Sequence, residues 1–97
     1  MDGIEILCRF MDGVSKDARM GPVHIALFTA IVKCGREQKQ ECPIIIFGHS
    51  LRKLAKISGS ATYHRAINDL VDYGFIQYEA SFNPHKGSKI IIVDPKN

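Results

Sequence analysis

The sequence predicts an α+β domain, mainly α with a small antiparallel sheet. Three observations predict it. Four segments carry apolar residues at helical spacing, short β-branched runs follow in mid-chain and near the end, and Gly or Pro marks the joints between them. Ninety-seven residues, 45% hydrophobic and 24% charged, suit a single domain (1–97) with one modest core. It divides into an N-terminal helix with its connection (1–20) and a second part over 21–94.

Ile4, Leu7, Phe10, Met11 and Val14 recur at helical spacing and predict an amphipathic helix at about 4–16. Its apolar stripe is narrow, so it must dock on the rest of the domain or on a second copy of the chain. Gly21-Pro22 reads as a helix start, with proline where its missing N–H costs nothing. From Val23 to about Cys34 the helix is apolar on nearly all sides and should be central and buried. His24 in its first turn is expected to be a structural histidine, since no second ligand stands one turn away. Gly35 and the polar run REQKQE end this helix.

Pro43–Phe47 predicts a strand bounded by Gly48. Ser50 is the expected cap of the next helix, whose apolar positions are Leu51, Leu54, Ala55 and Ser58, with Gly59 as its breaker. Ser60 should cap the following helix, where Tyr63, Ala66, Ile67, Leu70 and Val71 complete the apolar template and Gly74 is the stop. Phe75–Ala80 and Lys89–Val93 read as strands, with turn chemistry in Asn83-Pro84 and Lys86-Gly87-Ser88.

Composition excludes several classes. The apolar run IALFTAIV is far short of the ~20 residues a spanning helix needs, so no membrane partner is expected. The start of the chain lacks the basic opening of a secretory signal. Cys8, Cys34 and Cys42 form no C-x-x-C pair and are expected as buried thiols in a reducing, cytoplasmic compartment. No metal, cofactor or small-molecule effector is indicated. The net charge of +3 is unevenly placed: residues 1–41 hold six acids and six bases, while no acid occurs between Glu41 and Asp69. A localised basic face suggests an anionic partner, nucleic acid first among them.

A helix–tight turn–helix can place the N-terminal residues of its second helix against base edges in a major groove. At about 100° per residue, one side of 60–73 carries Tyr63, Ile67, Leu70 and Val71. The other side offers Thr62, His64, Arg65 and Asn68, all able to read bases, before turning acidic at Asp69 and Asp72. Arg52 and Lys53 are expected in the first turn of their helix, where the macrodipole disfavours cations by roughly 0.3–1 kcal/mol each. A phosphate across that helix start would reverse the sign. Ser50, Arg52, Lys53, Lys56, Ser60, Lys86 and Lys89 are therefore the candidates for holding a nucleic-acid backbone. The basic hairpin tip Asn83–Lys89 completes a winged helix-turn-helix.

Thr62-Tyr63-His64-Arg65-Ala66-Ile67, then Leu70 and Gly74-Phe75-Ile76, resembles the recognition-helix pattern of bacterial winged helix-turn-helix regulators of the GntR type. The chain is also similar, over about 16–93, to small bacterial winged-helix proteins often associated with mobile elements. Pro22, His24 and Leu27, the stretch Lys56–Arg65 and the wing Asn83–Ser88 carry that likeness. The resemblance implies binding of double-stranded DNA and transcriptional, replication or excision control. The ligand-binding module of GntR-type regulators has no counterpart in this sequence.

Catalysis is not expected: the four histidines are scattered, and no nucleophile-elbow, H-E-x-x-H or phosphate-loop motif occurs. The stronger alternative is a winged helix serving as a protein–protein interaction module through the first helix or the sheet edge. A homodimer through the N-terminal helix is the further partner expected.

Overall fold

The computed structural model describes residues 3–39, 42–83 and 85–93. The order is α1 (Gly3–Ser15), α2 (Pro22–Glu37), β1 (Ile44–Ile46), α3 (Gly48–Leu54), α4 (Ser60–Asp72), β2 (Ile76–Glu79) and β3 (Ser88–Ile92). The three strands form one antiparallel sheet in the order β1-β3-β2. This is an α+β architecture with the layout of a winged helix preceded by an additional helix.

The sheet's alternation sorts its residues by face. Ile44, Ile90 and Tyr78 stand in register on one face with Ile46, Ile76 and Ile92, and these pack against the helices. Ile45, Lys89, Gln77 and Ile91 fall on the other face. Strand β1 is an edge, and its outward backbone groups are occupied. The Gln38 amide donates to the Ile45 carbonyl at 2.6 Å and accepts from the Ile45 N–H at 2.9 Å. A single side chain thus stands in for a fourth strand there.

Helix α2 is the centre of the core, with Leu27, Phe28, Ala30, Ile31 and Val32 buried. It runs through Gly35 rather than stopping there. The Ile44 side chain lies so close that a Cβ on Gly35 would meet its Cδ1 at 2.9 Å, so the glycine serves a close approach of strand to helix. The helix ends instead at Gln38, followed by Lys39 with φ of 59°. Helix α1 docks on the domain through Phe10, whose ring stacks on Phe28 at 3.9 Å and meets Phe75 edge-on at 5.1 Å. Of its expected apolar stripe, Leu7 and Val14 are half-buried while Ile4 and Met11 stay exposed.

Helix α3 departs most from expectation. It begins at Gly48 on an extended Phe47 and ends at Leu54, so Ser50 lies inside its first turn and is not the cap. Arg52 and Lys53 fall in its last turn, not its first. There the macrodipole favours cations, and the phosphate reading built on their being misplaced loses its basis. Gly59 does not break this helix. Lys56, with φ of 62°, does, through a Schellman pair in which Ile57 N–H donates to Arg52 O and Lys56 N–H to Lys53 O. Leu54 and Ser58, expected inside, are exposed.

Helix α4 starts on Gly59 as its cap, which makes Ser60 its first helical residue and not the capping one. Tyr63, Ala66, Ile67 and Leu70 are buried, whereas Val71 is left exposed at the margin of the core. It ends on Gly74, as its sequence predicts. The thiols of Cys8 and Cys42 are exposed and that of Cys34 is half-buried, so the expectation of three buried cysteines fails. Burial pushes the Cys34 thiol pKa up. Among the described residues no helix is long and apolar enough to cross a membrane.

Candidate nucleic-acid interface

The sequence positions α4 by its buried face, and the exposed face follows from the helical period. Ser60, Thr62, His64, Arg65 and Asn68 are all solvent-exposed. The His64 ring sits edge-on against Tyr63 at 5.2 Å.

A chain of close approaches ties α4 to the hairpin. The Tyr63 ring lies against Gly48 at the start of α3, where a Cβ would be 3.6 Å from it. Phe47, immediately before, lies against Gly87 at the base of the wing. Gly87 has φ of +70°, and a Cβ there would meet the Ile46 carbonyl oxygen at 2.8 Å. Only glycine fits both the turn and the space. The wing base, the first turn of α3 and the N-terminal half of α4 therefore share one end of the molecule. His49 and Ser50 are exposed at that end.

The wing is shaped by side chain–backbone hydrogen bonds. Asn83 Oδ1 accepts from the His85 N–H at 2.9 Å, the Lys86 N–H donates to the Asn83 carbonyl, and Ser81 Oγ exchanges bonds with Asn83. Ser88 Oγ accepts from the Ser81 N–H and from Tyr78 Oη. Pro84, the second turn residue named from sequence, lies outside the described residues. Lys86 is exposed at the tip, but Lys89 belongs to strand β3, opposite Glu79 on the outer sheet face. It is not a tip residue.

The far half of α4 is locked to α2. The Gly21 N–H donates to His24 Nδ1 at 3.0 Å, so the proton of the neutral ring is on Nε2, which donates to Asp69 at 2.9 Å. His24 is structural, as expected. Asp69 is thereby turned toward α2, leaving Asp72 as the exposed acid of the helix. Arg19 stacks its guanidinium 3.8 Å over the Tyr73 ring and forks onto Asp17. Those hydrogen bonds hold the Asp17 carboxyl down at about 2.

Ser50, Ser60, Thr62, His64, Arg65, Asn68 and Lys86 are all exposed. Lys53 and Lys56 are exposed at the end of α3, and Arg52 is half-buried. His49 and Phe82 are also exposed, and neither was among the candidates read from the sequence. His49 sits one residue before the serine mistaken for a cap, and Phe82 stood inside a turn, where an aromatic carries no periodic signal. Among the described residues no three His, Cys, Asp or Glu side chains gather as a metal site would require. No family model, curated protein or solved structure matches the chain.

Proposed function

We propose that this chain binds double-stranded DNA with sequence preference, through α4 in the major groove and the β2–β3 hairpin beside it. The outward row Thr62, His64, Arg65 and Asn68 carries the reading: four hydrogen-bonding side chains exposed on a helix whose opposite face is core. Ser50, Ser60, Lys53, Lys56 and Lys86 would hold phosphates, with Arg52 behind them. Lys89, across from Glu79, is left out of the set. The biological role that fits is transcriptional regulation, or replication or excision control of a mobile element, in the cytoplasm.

The test is a pair of substitutions read by anisotropy on duplexes recovered by in vitro selection. Arg65→Ala should cost about 1–3 kcal/mol and relax preference at one base position. Lys86→Ala should weaken all duplexes alike and lower the salt slope by about one. Equal losses on every sequence in both variants would remove the base-reading role of Arg65. No binding to any duplex at low salt would remove the reading itself.

A two-fold form is part of the proposal. Ile4, Cys8 and Met11 are exposed on one face of α1, where a second copy could dock. A light-scattering mass of one chain at micromolar concentration would exclude it. A second reading, protein docking, is favoured by the outer sheet face, where Pro43, Gln77, Glu79, Lys89 and Ile91 line a shallow groove. Partner binding insensitive to salt, with no duplex binding, would select it.

A further inference from the structure

Phe82 is 99% exposed, the most exposed large hydrophobic side chain among the described residues. An aromatic ring in water is ordinarily tolerated when part of it rests on a neighbour; here almost none does. The turn that carries it is not loose. Ser81, on one side, and Asn83, on the other, are tied to each other, Asn83 is tied on to His85, and Ser88 holds Ser81. The hydrogen bonds fix the backbone while leaving the ring outside.

The surroundings select the occupant. Residues 80–93 contain no acid, Glu79 just before them stands opposite Lys89, and His85 and Lys86 are exposed three and four residues after Phe82. Its immediate neighbours Ser81 and Asn83 are polar, and the nearest exposed apolar ring tied to the wing, Phe47, lies at its base against Gly87. A protein hot spot would be expected among further apolar residues. A polyanion whose interior is flat and apolar answers both properties at once. From this we infer that Phe82 is a wedge, pressing between base steps or against sugar faces in the minor groove next to the major groove that α4 enters. The inference rests on the DNA-binding reading and adds a residue, a groove and a deformation to it.

The test uses the full chain, a fluorescein-labelled duplex recovered by selection with the wild-type chain, and two variants. Phe82→Ser should lower affinity about ten-fold or more, the scale of losing one aromatic–base contact. The slope of affinity against salt should stay unchanged, because no charge is removed. Phe82→Leu, still an apolar wedge, should stay within about three-fold of wild type. Circularly permuted duplexes should show a bend with wild type that Phe82→Ser reduces. Circular-dichroism melting should be the same in all three chains, since the ring contributes nothing to the core.

If wild type binds duplex and Phe82→Ser matches it in affinity and bend, the wedge is wrong and the DNA reading stands. A wild-type chain that binds no duplex overturns both. If Phe82→Ser instead abolishes a concentration-dependent rise in sedimentation mass and leaves DNA binding intact, the ring is a self-association contact and the wedge is overturned.

Discussion

Lys56 occupies a left-handed backbone conformation with φ of 62°, a position that glycine fills in most helix ends of this type. A lysine there costs of order 1 kcal/mol relative to glycine. Lys56→Gly should therefore raise stability by about 0.5–1 kcal/mol in urea unfolding, and at the same time weaken duplex binding and lower its salt slope by about one. A gain in stability with no change in binding would leave the lysine without a role at the interface. Tyr63 poses the opposite case. It is 2% exposed, and its hydroxyl is buried with no hydrogen-bond partner. Burial pushes its pKa up to about 12 from an ordinary 10.0. Because the folded value is the higher one, the stability linked to this proton is complete below pH 10 and drains away as pH rises toward 12. Tyr63→Phe removes a buried unsatisfied hydroxyl. It should be neutral or stabilising by up to about 1 kcal/mol at pH 7, and its alkaline unfolding limb should shift upward.

Among the elements, β1 depends on a side chain for its outer edge. Gln38→Glu keeps the length and the acceptor for the Ile45 N–H but sets a carboxylate oxygen against the Ile45 carbonyl. The expected cost is about 1–3 kcal/mol at neutral pH, easing as the solution is acidified and the carboxyl can again donate. A loss that is indifferent to pH would point to lost packing instead. The elements also differ in how far the sequence discloses them. Helices α2 and α4 were readable because long 3.6-residue periods announce their buried faces, and α4's outward row Thr62, His64, Arg65 and Asn68 came with that period. Helix α3 was not. Seven residues hold too few turns for a period, its start on Gly48 lacks a capping side chain, and its end uses a lysine. The serine and glycine that look like its signals, Ser50 and Gly59, serve other positions. Lys89 looked like a tip residue until strand register set it opposite Glu79, and pairing partners are not visible one residue at a time.

For the whole molecule, charge is the property with reach. The surplus of +3 resides in the half that builds α3, α4 and the wing, and Asp69, the acid nearest that surface on α4, is occupied by His24. Affinity for duplex DNA should fall steeply between about 50 and 200 mM salt, with a log–log slope near −0.9 for each phosphate neutralised. A flat salt profile would place the binding energy elsewhere. The seat of Gly87 against the Ile46 carbonyl bears on how such an encounter unfolds in time. A prong seated against its strand at the base needs no rearrangement there, so stopped-flow mixing with duplex should give a concentration-dependent phase, and any slower step behind it should vanish with Phe82→Ser, which removes the bend.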